Sequence, residues 1–164
     1  MSDADTDFRA RAIVVRKGNR YEDMTAGRVF EHHWGRTISA GDNAAFTTQT
    51  LSFCPLYFNE PYAKALGHPR ILVNPLLVFN TVFGLSVEDL SEGGGPFLGV
   101  DDCQFLTDVY IGDTLTARST VISRRTSKTQ PGFGIVTWQT QGFNQNNVQV
   151  IDFHRTNLVR RRKP

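Results

Sequence analysis

NPLLVFNTVFGLSVEDL, residues 74 to 90, is the stretch that decides the fold. Asn74 is a typical helix N-cap, and Pro75 suits the first helical position, where a missing N–H costs nothing. Apolar side chains then occur on nearly every side of the helix for three turns. Because they cannot all face one partner, the sequence predicts a long central helix that the rest of the chain surrounds.

Four strand-like runs follow the glycine-rich break at residues 91–96. The runs are FLGVDDCQF, DTLTARSTVIS, GIVTWQTQGFN and VQVIDFHRTNLV. Buried-type residues alternate from Leu115 to Val121 and from Val136 to Thr140, as in strands with one buried face. Residues 144–147 have the composition of a turn. The order predicts an α+β fold, with an antiparallel sheet wrapped around a long central apolar helix.

The segment before the central helix predicts one strand and two short helices. The strand is expected over residues 27–39. Asp42 is predicted as the N-cap of the first helix and Asn59 as the N-cap of the second, which Gly67 would end. Residues 1–20 are predicted to be a polar N-terminal arm, and residues 21–162 a single domain.

Composition excludes several classes of protein. The chain has 164 residues and a net charge of +2, and its basic cluster at residues 160–163 is interpreted as a frayed, solvated tail. We therefore expect no nucleic-acid partner. The two cysteines fit no disulfide framework or zinc site, and the N-terminal residues fit neither a signal peptide nor a membrane anchor. A cytoplasmic location with no membrane partner is the resulting expectation.

Short motifs throughout the chain give a more specific prediction. They are YEDMTAGRVFEHHWGRTISAGDN, FNEPYAKALG, LVNPLLVF, GLSVEDL, VYIGDTL, SRRTSK, GIVTW, FNQ and HRTNLV. In this order they resemble the MaoC-like acyl-CoA hydratases, and are most similar to the branch with mesaconyl-CoA and β-methylmalyl-CoA (de)hydratases. The resemblance covers about residues 21 to 162.

The resemblance implies a hotdog fold and a homodimer that binds acyl-CoA thioesters in a tunnel between subunits. It implies reversible addition of water across the 2,3 double bond, without a metal or redox cofactor. An acyl-carrier thioester remains an alternative to the CoA ester.

The loop SFCPLYF, residues 52 to 58, departs from the pattern of the family. The position of the usual acidic residue falls on Ser52, that of an amide on Cys54 and that of the histidine on Tyr57. Tyrosine, with an ordinary pKa near 10, is a poor base at neutral pH. The catalytic prediction is therefore that Tyr57 holds the water and Ser52 orients it. The helix N-terminus at Asn74 would polarise the carbonyl, although Pro75 stands where the resemblance leads us to expect an N–H donor.

Four basic residues occupy positions where the resemblance implies contacts to the CoA phosphates or pantetheine. They are Arg70, Arg124, Arg125 and Lys128. A solvated basic edge is an equal alternative. Cys54 is a further predicted substrate contact. Asp108 replaces an expected proline, and is interpreted either as a substitute acid or as a turn residue.

Two hypotheses of function remain open. In the first, the chain is a hydratase or dehydratase that acts on enoyl-CoA and 3-hydroxyacyl-CoA thioesters. In the second, it is a catalytically impaired subunit that binds the thioester and pairs with an active relative in a mixed hotdog dimer. Loss of the usual acid–base residues motivates the second.

Overall fold

A computed structural model of the protein describes residues 18–163, so that most of the predicted arm over residues 1–20 lies outside the described residues. The described part contains four α-helices and six strands. The helices are α1 (Ala40–Gln49), α2 (Glu60–Ala65), α3 (Pro75–Leu85) and α4 (Val87–Leu90). The strands are β1 (Val29–Glu31), β2 (Arg36–Thr37), β3 (Phe97–Phe105), β4 (Thr114–Thr126), β5 (Phe133–Phe143) and β6 (Gln149–Arg160). One-turn 3₁₀ helices lie at Tyr21–Asp23 and Pro55–Tyr57.

The strands form one antiparallel sheet in the order β1-β4-β5-β6-β3, with β2 also pairing with β4. Helix α3 contacts β4 and β5 at the centre of this sheet. This is the predicted hotdog fold of the α+β class, and the four long strands were predicted to within three residues at each end. Among the described residues, β3 has only β6 as a neighbour and leaves its other edge unpaired.

The single strand predicted over residues 27–39 is wrong, because the structure has two short strands there. Glu31 pairs with Arg118 and Arg36 pairs with Leu115, so five steps along this segment match three steps along β4. The His32 N–H still donates to the Ala117 carbonyl, and His32 is buried two residues after the buried Phe30, as alternation along a strand requires. The surplus residues therefore lie between His32 and Arg36, where the chain leaves the ladder.

Helix α3 packs one face on the sheet and leaves another face uncovered. Val78 and Val82 are buried, whereas Leu76 is 56% exposed. A Cβ at Gly142 of β5 would lie 2.6 Å from Val82, so this glycine allows the helix to approach the sheet closely. The prediction that the chain surrounds the helix on all sides is wrong for a single chain, because the apolar residues outnumber those that one sheet can cover.

Arg155 lies between the two apolar clusters of the core and is fully buried. It donates to Ser86 Oγ at 2.7 Å and to Ser91 Oγ at 3.0 Å, and its guanidinium lies 3.9 Å from the centre of the Phe83 ring. Burial lowers the pKa of Arg155 to about 10. Neutral hydroxyls and an aromatic face thus hold this cation where the central helix ends.

A chain of polar side chains ties α4 to the sheet. His32 Nδ1 lies 2.6 Å from Asp89 Oδ2, and His32 Nε2 lies 2.9 Å from Ser119 Oγ. Ser119 in turn shares a 2.9 Å hydrogen bond with Thr140. Because His32, Ser119 and Thr140 are buried, this Asp–His–Ser arrangement is structural and has no access to a substrate.

The stability of the fold is expected to fall when His32 is protonated. Burial lowers the pKa of His32, and the Asp89 carboxylate opposes that effect only in part. The unfolded chain therefore binds more protons than the folded chain below about pH 6.5, and the free energy of unfolding decreases as the pH falls through this range. Urea unfolding at pH 5.5 and pH 7.5 should show the difference.

The neighbouring His33 supplies a matched control. Its side chain is 58% exposed and lies 3.7 Å from Glu88. Replacing His32 with Gln should shrink the difference in unfolding free energy between the two pH values, while the same change at His33 should leave it in place. An equal change in pH dependence in the two variants would contradict the assignment of this pH dependence to His32.

The capping predictions were half right. Helix α1 begins after Ser39, whose Oγ accepts from the Asp42 N–H at 3.1 Å, while the Asp42 carboxylate accepts from the Ser39 N–H at 2.9 Å. Asp42 is therefore the third helical residue of a capping box and not the N-cap. Asn59 caps α2 as predicted, and Gly67, with φ of 89°, follows its end.

The basic C-terminal residues are held to the body of the protein. Arg160 is the last residue of β6, and the Arg161 N–H donates to the Gly132 carbonyl at 2.9 Å. Arg162 is paired with Asp23, and its N–H donates to Glu22. The prediction of a frayed tail is wrong for residues 160–162, although their side chains are exposed. Within residues 18–163, no helix is long and apolar enough to cross a membrane.

Candidate functional site

Asn43 joins the loop of residues 52–58 to the start of the central helix. Its side chain is completely buried in α1 and donates to the backbone carbonyls of Tyr57 at 2.8 Å and Leu72 at 2.9 Å. Its Oδ1 accepts from the backbone N–H of Asn74 at 2.9 Å. One amide therefore holds three separate segments in register, which makes the site a preformed structure.

The predicted residues Ser52 and Asn74 are in direct contact. Asn74 Nδ2 donates to Ser52 Oγ at 3.0 Å, and Asn74 Oδ1 accepts from the Leu76 N–H at 3.0 Å. The N–H groups of Leu77 and Val78 donate to the Asn74 carbonyl. The first-turn N–H groups of α3 are thus occupied, and Pro75 has no N–H. The Leu76 N–H could therefore polarise a substrate carbonyl only after the Asn74 side chain has released it.

Tyr57 ends the 3₁₀ helix Pro55–Tyr57 and is half-buried. Its hydroxyl has no hydrogen-bond partner among the described side chains and backbone groups. Burial, followed by the nearby Cys54 and Asp108, raises the pKa of Tyr57 above its ordinary value. The side chain is therefore a neutral phenol near pH 7, which can donate a hydrogen bond but cannot serve as a base.

A cleft of about 120 Å³ lies beside the start of the central helix, and its lining residues do not include Ser52, Tyr57 or Asn74. Pro75 and Val78 of α3 form one wall, and residues 105–109, which end β3 and begin the following loop, form another. Most of the lining residues are apolar, and Asp108 is the only ionisable residue among the described residues that line the cleft. The cleft can therefore receive an apolar acyl group against the N-terminus of the central helix, with one carboxylate nearby.

The predicted phosphate-binding residues do not meet in one chain. Arg70 forms an ion pair with Asp113 at 2.9 Å beside the start of β4. Arg124 lies ten residues beyond Thr114 on the same strand, which corresponds to about 33 Å, and its guanidinium contacts Tyr21. Arg125 and Lys128 lie at that far end of β4. Within one chain, Arg70 is thus separated from the other three.

Comparison with known proteins identifies the family. A sequence model of the family described as mesaconyl-CoA hydratase matches residues 2–164, nearly the entire chain. The chain belongs to the mesaconyl-CoA hydratase family. A mesaconyl-CoA hydratase of Haloarcula hispanica is 36% identical over 155 residues, which are 94% of this chain and 43% of that protein. A β-methylmalyl-CoA dehydratase of Chloroflexus aurantiacus is 37% identical over 147 residues, 90% of this chain and 42% of that protein.

Solved structures agree with this assignment. The crystal structure of a MaoC domain protein dehydratase from Chloroflexus aurantiacus superimposes with a TM-score of 0.84 at 37% identity, over 90% of this chain and 42% of that one. A Mycobacterium tuberculosis protein with a double hotdog fold matches with a TM-score of 0.73 at 25% identity, over 90% of this chain and 46% of that one. The chain spans about two fifths of the length of the curated family members it matches.

Proposed function

We propose that the protein is one hotdog unit of a hydratase or dehydratase that interconverts enoyl-CoA and 3-hydroxyacyl-CoA thioesters. The observation that carries the proposal is the match to the mesaconyl-CoA hydratase family over residues 2–164. The position of the cleft supports it, because an apolar pocket beside a helix N-terminus suits an acyl thioester. A carrier-protein thioester is the alternative form of the substrate.

The residues near the cleft have distinct roles in this proposal. Tyr57 donates a hydrogen bond to the water or the substrate hydroxyl, and Ser52 fixes the Asn74 amide. Cys54, the N-cap of the 3₁₀ helix Pro55–Tyr57, lies within electrostatic range of Tyr57 and contacts the substrate in this proposal. Addition of water leaves the oxidation level of the substrate unchanged overall, so the proposed reaction requires no redox cofactor, and the proposal includes no metal. Two free cysteines in the described chain fit the proposed cytoplasmic location.

We further propose that a second hotdog unit, identical or related, pairs with the open edge of β3. Phe97, Leu98, Phe105 and Leu106 at this edge are each about half exposed. The curated family members are more than twice as long as this chain, which leaves room in them for a second unit. Pairing would cover an edge that otherwise invites aggregation, and would bring Arg124, Arg125 and Lys128 of one unit nearer the cleft of the other.

Charges at this edge should abolish the pairing. Replacing Leu98 and Phe105 together with Glu places like charges on the strand and is expected to convert the dimer into a monomer, since buried carboxylates without partners cost several kcal/mol. Native mass spectrometry measures the result. The same change at Val29 of β1 and Ile122 of β4, two exposed apolar residues away from β3, is the control and should leave the dimer intact. A dimer that survives the β3 change would contradict the proposal.

A subunit that binds the thioester without performing chemistry is the second candidate. The occupied first-turn N–H groups of α3 and the neutral Tyr57 phenol favour it, since neither an open oxyanion donor nor a base is present in the loop. In this case the catalytic groups would come from the paired unit.

One assay separates the two candidates. The purified full chain is mixed with mesaconyl-CoA and crotonyl-CoA, alone and with a co-expressed partner hotdog chain, and loss of the absorbance of the conjugated thioester is followed. Turnover by the chain alone supports the enzyme. Thermal stabilisation by the esters, with turnover only in the mixture, supports the binding subunit. Neither turnover nor stabilisation would overturn both candidates.

A further inference from the structure

A carboxylate that does not belong to the loop of residues 52–58 faces the proposed acyl cleft. Asp108 lies in the connection between β3 and β4, and its side chain is 55% exposed. Within residues 18–163 it is the only ionisable residue that lines this cleft, and Pro75 at the N-terminus of α3 lines the same cleft. Asp108 therefore lies in a cleft whose other lining residues are apolar apart from Thr107, beside the helix N-terminus, where the proposed function places the acyl thioester.

Two side chains, those of His68 and Tyr110, lie within 3.6 Å of this carboxylate. His68 Nδ1 lies 3.6 Å from Asp108 Oδ2 and 3.2 Å from the Tyr110 hydroxyl. That hydroxyl lies 3.5 Å from the same oxygen of Asp108. The three groups come from two segments, since His68 follows α2 while Asp108 and Tyr110 both precede β4. They form a compact acid–base cluster that we call the Asp108 cluster.

The cluster rests on a rigid support. The Tyr110 N–H donates to Asp113 Oδ2 at 2.8 Å, and Asp113 is itself buried and paired with Arg70. Tyr110 also forms a β-bridge with Leu72, whose carbonyl accepts from Asn43. The cluster is therefore linked to the loop through the same buried amide that positions Tyr57.

The negative charge of Asp108 affects the pKa of Tyr57 in the loop of residues 52–58. It contributes to the raised pKa of Tyr57, after burial and Cys54. It contributes to the raised pKa of Tyr110 as well, directly after burial. Both phenols thus remain neutral hydrogen-bond donors, and the Asp108 carboxylate is an acceptor, a combination suited to holding a water molecule.

We propose that Asp108, positioned by His68 and Tyr110, is the acid–base residue of this unit and replaces the residues that the loop lacks. The inference rests on the proposed hydratase function. The Asp108 carboxylate takes a proton from water as the water oxygen bonds to C3 of the enoyl thioester. The electron pair of the double bond moves towards C2 and the thioester carbonyl. Protonated Asp108 then returns the proton to C2, so that one water molecule is added and the carboxylate is regenerated.

Replacement of Asp108 with Asn tests this role. The change keeps the shape of the side chain and removes the base, so kcat for hydration of mesaconyl-CoA or crotonyl-CoA should fall by about 10²–10⁴-fold, with KM changed by less than about threefold. Glu31→Gln is the matched control, because Glu31 is an exposed carboxylate of β1, outside the cleft lining and away from the β3 edge, and it should retain wild-type kcat. Asp108→Glu, which keeps the charge, should lose less than Asp108→Asn.

His68 is a positioning residue and requires its own test. His68→Ala should lower kcat by about tenfold at unchanged KM, because the carboxylate loses its orientation. His68→Gln, which can still donate to Asp108, should recover most of that loss. A purely structural role would instead lower the melting temperature of both variants in parallel with activity.

The outcomes separate this inference from the proposed function. If the wild-type chain has no hydratase activity, alone or with a partner chain, the proposed function fails and the inference fails with it. If the wild type is active but folded Asp108→Asn keeps more than a third of kcat, the inference alone is overturned. If Asp108→Asn does not fold, then Asp108→Glu with full wild-type kcat and KM overturns it, because a shifted carboxylate could not act unchanged.

Discussion

Replacing Asn43 with Leu is expected to lower the free energy of unfolding by about 3–5 kcal/mol. The two side chains have the same number and branching of heavy atoms, so the change removes hydrogen bonds without opening a cavity. The Tyr57 and Leu72 carbonyls and the Asn74 N–H would lose their partner inside the protein. Each unsatisfied buried group costs about 1–3 kcal/mol, and some relaxation of the loop reduces the sum. Urea unfolding followed by circular dichroism measures the change.

Asn80 on the neighbouring helix provides a matched control for Asn43. It is exposed and donates one hydrogen bond, to the Leu76 carbonyl at 2.8 Å. Asn80→Leu is expected to change the free energy of unfolding by less than about 0.5 kcal/mol. A loss below about 1 kcal/mol in Asn43→Leu would mean that water or the backbone can replace the amide, and that the site does not depend on it.

The large elements could be predicted because their signals are local. Period-two burial in β4 and β5 and the Asn-Pro start of α3 depend only on nearby residues, and the structure contains both. The mistaken cap of α1 is also local in origin. Ser39 and Asp42 both suit an N-cap, and the reciprocal bonds of a capping box place the serine first.

Features that depend on distant residues could not be read from the sequence in this way. Asn43 has its partners 14 to 31 residues away, so nothing near it distinguishes it from an ordinary helical asparagine. The basic residues at 160–163 looked like a solvated run, yet Arg162 bonds to Glu22 and Asp23, about 140 residues earlier. The contact between Ser52 and Asn74 is intermediate, since the resemblance to the family named both residues but could not show that they touch.

The double change of Ser52 to Asp and Tyr57 to His is expected to raise the rate of hydration by about 10²-fold. It places an acidic residue and a histidine at the two positions where the family resemblance locates them. The Asn74 amide, now 3.0 Å from Ser52 Oγ, can donate to the new carboxylate, and an imidazole is smaller than the half-buried phenol it replaces. A histidine near its ordinary pKa of about 6.5 can act as a base where tyrosine cannot. A general base contributes about 10²–10⁴-fold, and an imperfect fit favours the lower figure. The measurement is kcat/KM with mesaconyl-CoA.

Two controls determine what that result means. Ser52→Asn with Tyr57→Phe alters the same positions without adding a base, and should give no increase. The second control adds Asp108→Asn to the double change at Ser52 and Tyr57. The resulting loss of kcat/KM should be far smaller than the loss that Asp108→Asn causes in the wild type. The reason is that the new histidine takes over the proton transfer, so that the two groups act on the same atom. If both losses are equal, the loop and Asp108 act independently. If a folded double variant gains less than threefold, the loop of residues 52–58 does not face the reacting carbon atoms, and the chemistry comes from Asp108 or from the second unit.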